Sequence, residues 1–162
     1  MSKFFSPGQR GPVAYAARQL WLSHKVSIGP GDRLHFTFES FCQNPRQGLE
    51  VDCANRRHRL GVAGQEFRGF TLWTDTAPRE VEVTFLAKRA RGEVFLTNVW
   101  QLPGYEQVRF SGVNAAAMSV TEIQPDEWLL ECNDGYGLEE PTFQDLVVRL
   151  RVDRAGTPAP PI

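Results

Sequence analysis

The stretch NDGYGLEEPTFQD, residues 133–145, gathers Asn133, Asp134, Glu139, Glu140 and Asp145 around Gly135 and Gly137. Carboxylates on a flexible, glycine-bearing turn are what a hard divalent cation needs. Calcium takes about six to eight oxygens from carboxylates and backbone carbonyls, and glycines let the carbonyls converge. Asp134, Glu139, Glu140 and Asp145 are therefore the expected ligands and calcium the expected ion, in a structural role. The competing expectation is a polar turn that holds no ion. Glu39, at a polar position of an early strand, is a more remote ligand candidate.

Other residue types could handle an organic ligand. Indole faces stack on sugar rings or flat apolar molecules, and Asn, Tyr and Arg bond hydroxyls, so Trp73, Asn98, Trp100, Tyr105 and Arg109 form a candidate ligand face. Tryptophans that merely close the ends of a core are the alternative for each ring. Glu106 and Glu131 are the candidate proton carriers for any chemistry performed there. Glu50 and Asp52, two apart in LEVDC, are expected side by side on the solvent face of a strand. Cys53 and His58 lack the second ligand pair that a zinc site requires. His24 and His35 sit within strand patterns as structural histidines. A G-x-S-x-G elbow, a Walker loop, a dinucleotide fingerprint and H-E-x-x-H are all missing, so no organic cofactor is expected.

The elements that must position these groups read as strands. Leu20, Leu22, Val26 and Ile28 alternate with polar residues before the turn GPGD, and Leu34, Phe36 and Phe38 alternate with His35, Thr37 and Glu39. Phe70 and Leu72, then Val81, Val83 and Phe85, repeat the pattern around DTAP. VFLTNVW is apolar on both faces, as a central strand is. Met118 and Val120, Trp128 and Leu130, and Leu146, Val148 and Leu150 complete the series. VAYAARQLWL is the one helix-like stretch, and the alternation from Leu20 argues against it. The expected fold is all-β, an antiparallel β-sandwich or jelly roll of about eight strands. Residues 1–12 read as an N-terminal arm, 13–153 as one domain, and 154–162 as a mobile Pro-rich tail.

Composition bounds the partners. The chain has 162 residues, 41% apolar and 23% charged, which suits one domain with its own core and excludes a disordered chain. The net charge of −1 gives no general attraction to nucleic acid or acidic lipid, so neither is an expected partner. No apolar run is long enough to span a bilayer or to serve as a signal peptide. Three cysteines without paired spacing point to free thiols in a reducing compartment, with the cytoplasm the expected location. A homodimer is left open.

The acidic turn followed by aromatic-x-Asp-Leu-Val-Val, here FQDLVV at 143–148, resembles calcium-binding jelly rolls of the carbohydrate-binding-module type. Calcium-dependent cyclases of indole alkaloid biosynthesis have a similar architecture. The resemblance covers residues 133–152, and Gln144 stands where a second aspartate would strengthen the site. It implies a small-molecule-binding sandwich with a hydrophobic or sugar-like ligand, acting as a cyclase or isomerase of a specialised pathway. A non-catalytic carbohydrate-binding or lectin-like domain, and an interaction domain without a ligand, are the alternatives.

Overall fold

The computed structural model describes residues 2–105, 116–136 and 140–156. Thirteen strands and no helix occur among them. The first seven are β1 (Val13–Tyr15), β2 (Arg18–Trp21), β3 (His24–Ile28), β4 (Arg33–Phe41), β5 (Arg46–Cys53), β6 (Leu60–Val62) and β7 (Gln65–Phe67). The others are β8 (Gly69–Trp73), β9 (Glu80–Phe85), β10 (Gly92–Gln101), β11 (Ala117–Gln124), β12 (Glu127–Asn133) and β13 (Leu146–Asp153). They form two antiparallel sheets, one ordered β1-β2-β11-β12-β13-β4-β9-β6-β7 and the other β3-β10-β5-β8. The all-β sandwich is the expected fold, with more strands than the eight that hydropathy alternation shows.

The additional strands come from segments that carry little alternation. The run from Leu20 to Ile28 is two strands in different sheets, because the chain crosses between them at Leu22 and Ser23. VAYAARQLWL holds the β1–β2 hairpin, closed by Ala16 and Ala17 at φ 46° and 65°. Two consecutive left-handed residues make the tight turn that fits the twist of paired strands, and this overrides the helical preference of alanine. In β5, Leu49, Val51 and Cys53 turn inward while Glu50 and Asp52 face outward, as expected of the two acids. Gly48 dilutes that pattern for a spatial reason: a Cβ there would lie 2.7 Å from Cε3 of Trp73.

The core lies between the sheets. Val26, Ile28, Leu49, Val51, Val94 and Leu96 of the smaller sheet meet Leu34, Phe36, Val83, Phe85, Leu130, Val148 and Leu150 of the larger. Each such side chain contributes roughly 1.5–3 kcal/mol on leaving water. A second cluster, Phe5, Leu20, Ala117 and Phe143, joins the segment before β1 to the approach to β13. A third junction ties the end of β13 back to the GPGD turn. Asp32 accepts the Gly29 N–H (2.7 Å), the Ala155 N–H (2.8 Å) and a bond from Arg154 Nη1 (3.0 Å), while Arg154 Nη2 reaches Asp126 (2.8 Å). Among the described residues no helix is long and apolar enough to cross a membrane.

Candidate metal centre

Strand register brings the oxygen-rich turn to one end of the sandwich. Leu146 of β13 stands opposite Phe41 of β4 on one side and Cys132 of β12 on the other. One residue earlier, Asp145 is thus flanked by Cys42 and Asn133, and the Cys42 N–H donates to the Asp145 carbonyl (2.9 Å). The chain then returns from Cys42 through Pro45 into β5, whose inward Gln47 is 0% exposed. Thiol, carboxylates and carboxamide therefore converge from four segments of both sheets.

The convergence is close. Ligand atoms of Cys42, Asp134 and Asp145 all lie within 4.8 Å of one another. Asp145 Oδ2 accepts the Asp134 N–H (2.9 Å), and Asp134 Oδ1 accepts the Tyr136 N–H (3.0 Å). Gln47 Nε2 donates to Asp134 Oδ2 (2.7 Å), with Pro45 O at 3.1 Å and Cys42 Sγ at 3.3 Å from the same nitrogen. Asn133 shapes the turn: its Nδ2 donates to the Asp134 carbonyl (2.9 Å) and its Oδ1 accepts the Thr142 N–H (3.3 Å). Its carbonyl in turn accepts a bond from Asn98 Nδ2 of β10 at 3.1 Å.

Negative charge is crowded here. Burial first, and then the Asp145 charge, push the Asp134 carboxyl up, to about 6 in all. The Tyr136 N–H and the Gln47 amide act against both. Burial, then Asp145 and Asp134, likewise raise the Cys42 thiol. A thiol pushed in that direction is protonated near neutrality and is a poor free nucleophile. A bound cation would oppose each of these effects, because it favours the anionic form of every group it touches.

Of the expected calcium ligands, Asp134 and Asp145 come together. Glu140 accepts a bond from Tyr15 Oη (3.1 Å), and Glu139 lies outside the described residues. Cys42 belongs to the cluster and was not among the expected ligands. Its partners stand far along the chain, and only the β4–β13 register could have revealed it. Glu39 sits where a register shift interrupts the β4–β13 pairing and bonds Arg149 Nε (2.9 Å) on the outer face of the larger sheet.

No family model matches the chain, nor does any curated protein or solved structure. The functional reading therefore rests on geometry.

The candidate ligand face is divided between surface and interior. Trp100 is 2% exposed and inward, and Asn98, also buried, is the inter-sheet donor to Asn133. Trp73 lies on the outer face of the smaller sheet with the Arg46 guanidinium 4.4 Å from its ring centroid. Arg46 is itself held by Asp75 (2.8 and 2.9 Å) and Gln101 (2.8 Å), so one face of the indole is already covered. Tyr105 is exposed, while Glu106 and Arg109 lie outside the described residues. Glu131 is engaged by Arg18 Nη1 (3.3 Å) and Gln144 Nε2 (3.1 Å). Beside the Trp73 strand, Glu50, Asp52, Arg68, Gly69, Phe70 and Thr71 line an open groove of about 390 Å³ that hydropathy alone did not single out.

Proposed function

We propose that this chain is a small-ligand-binding β-sandwich of the jelly-roll, carbohydrate-binding-module type, its rim held together by a divalent cation. The meeting of Cys42, Asp134 and Asp145 within 4.8 Å carries this reading. A cation shared by these groups would join the β4–β5 connection to both ends of the β12–β13 connection, steadying loops at the rim, where binding residues concentrate. The ligand chemistry follows from the groove on the smaller sheet. Carboxylates of Glu50 and Asp52, the Thr71 hydroxyl and the Arg68 guanidinium suit a polyhydroxylated, sugar-like molecule better than a wholly apolar one. The three free thiols favour a reducing compartment such as the cytoplasm.

A catalytic reading, as a cyclase or isomerase, has one observation in its favour. Asp134 is an acid held near neutrality, as a general acid must be. Binding is the better supported of the two, because Asp134 is 5% exposed and both of its oxygens are already engaged.

Two measurements test the proposal. Melting curves with chelator and with millimolar divalent ion should differ by several degrees, since selective binding to the folded state at a hundredfold excess over Kd adds about 2.7 kcal/mol. Coincident curves for every ion tried would sink the cation reading. Separately, amide resonances titrated with a sugar panel should shift along β5 and β8, and Asp52→Asn should weaken that binding by roughly 1–3 kcal/mol. Shifts confined to other strands would move the ligand site elsewhere.

A further inference from the structure

We infer that the cation at this site is of the zinc class, bound through the Cys42 sulfur, rather than calcium. The inference rests on the cation reading above and specifies it. The donor set decides the class. Calcium takes about six to eight oxygens and has little affinity for sulfur, whereas zinc is bound by thiolate and carboxylate together in four-coordinate sites. The three converging side chains are one thiol and two carboxylates, and no other group of three or more such side chains converges among the described residues. A tetrahedron with bonds of about 2.0–2.3 Å has ligand atoms roughly 3.3–3.8 Å apart, so atoms already within 4.8 Å need close in only modestly.

A second observation is independent of the acids and the cysteine. Gln47 is fully buried, its amide nitrogen lies against Asp134 and Cys42, and its Oε1 has no partner among the described residues. An orphaned buried carbonyl oxygen is costly, on the order of 1–3 kcal/mol. Turning the carboxamide over would place that oxygen where the nitrogen now stands, beside Asp134 Oδ2, Cys42 Sγ and the Pro45 carbonyl oxygen. Without a cation, the turned oxygen would face a carboxylate oxygen and be repelled. With a cation between them, the same oxygen becomes the fourth donor. Cys42, Asp134, Asp145 and Gln47 thus complete a four-coordinate set, with the Pro45 carbonyl oxygen beside it. The thiol proton, and any proton on Asp134, leave to solvent as the metal–sulfur and metal–oxygen bonds form.

Cobalt(II) is the probe, because it replaces zinc and has visible colour when tetrahedral. Titrating the apo-protein should produce intense visible bands and a near-ultraviolet sulfur-to-cobalt charge-transfer band, saturating at one equivalent and abolished by one equivalent of zinc. Cys42→Ser and Cys42→Ala should both lose the charge-transfer band and weaken binding at least roughly tenfold. Circular dichroism of both variants checks that they remain folded, and the wild-type band identifies sulfur whether or not they do. If divalent ions raise the melting temperature but cobalt gives no charge-transfer band, or if calcium protects wild type and Cys42→Ser equally, the ligands are oxygens only. The zinc assignment then falls while the cation reading stands. If no ion changes either melting or absorption, both fall.

Discussion

Gln47 and Asp134 meet across the end of the sandwich, the amide nitrogen of one 2.7 Å from Oδ2 of the other, and both are buried. Gln47 lies in β5 of the smaller sheet and Asp134 directly follows β12 of the larger, so this one bond is a seam between layers as well as the support of a carboxylate. A donor facing a buried carboxylate is worth roughly 1.5–3 kcal/mol, and its removal also strands the charge. Gln47→Leu keeps much of the side-chain volume and deletes the donor. It should lower apo-protein stability by about 2–4 kcal/mol at pH 8, measured by urea unfolding. At pH 5 the loss should be smaller, because Asp134 is then mostly protonated. Equal losses at both pH values would mean that Gln47 acts through packing rather than through the carboxylate.

Asp134 gives the metal-free protein a pH dependence of unusual sign for a carboxylate. Its folded value is raised to about 6 from an ordinary 3.8, so the folded state holds the proton more tightly than the unfolded chain does. The Asp134 contribution to stability should therefore rise as pH falls from about 7 to about 4, by on the order of 2–3 kcal/mol, and level off below the unfolded value. Saturating cation should remove the gain, since a bound ion competes with the proton. Melting temperatures across this range, in chelator and with metal, provide the check. An identical pH dependence in metal-free wild type and Asp134→Asn would contradict the placement of Asp134.

The alternating strands were legible because a half-buried strand writes burial into every second residue, and β4, β8, β9 and β13 do so. The crossing at Leu22–Ser23 was not, since both strands it joins turn their apolar residues inward and the period runs on through the crossing. The LEVDC half of β5 was legible as a strand, but its beginning was obscured by Gly48, whose small size answers to the Trp73 ring across the strand rather than to burial. The candidate metal centre was half legible. Asp134 and Asp145 are neighbours along the chain, whereas Cys42 joins them through strand pairing, which leaves no local mark. Trp100 shows the opposite limit: its strand is apolar on both sides, so period alone does not say which side faces water.

The β1–β2 hairpin carries a testable excess cost. Ala16 and Ala17 both hold positive φ, a conformation their Cβ atoms disfavour by roughly 1 kcal/mol each. Replacing the pair with Asn-Gly supplies the residues that such a two-residue turn prefers. The double substitution Ala16→Asn, Ala17→Gly should stabilise the protein by about 1 kcal/mol or slightly more, which for this size raises Tm by a few degrees. A fall in Tm would show that the turn is not left-handed at both positions.

The link between Asp32 and Arg154 ties the end of β13 to the GPGD turn, and it responds to acid in the opposite sense to Asp134. Burial pushes the Asp32 carboxyl up, but the Ala155 and Gly29 N–H groups and the Arg154 guanidinium outweigh it, and the net shift is downward. A carboxylate held below its ordinary value contributes stability that is present above the unfolded value, near 4, and lost as pH falls through the folded one. The acid limb of unfolding below about pH 4 should therefore include Asp32. Arg154→Ala removes the guanidinium from both Asp32 and Asp126 and should cost roughly 1–3 kcal/mol at neutral pH. At pH 3 the difference from wild type should narrow, because the partners are increasingly protonated. Amide hydrogen exchange gives a local reading of the same link. The Gly29 and Ala155 N–H groups both donate to Asp32, so Arg154→Ala should speed exchange at Ala155 most, while Gly29, held within its own turn, should change less. Unchanged exchange at Ala155 would show that the end of β13 is anchored by the backbone alone.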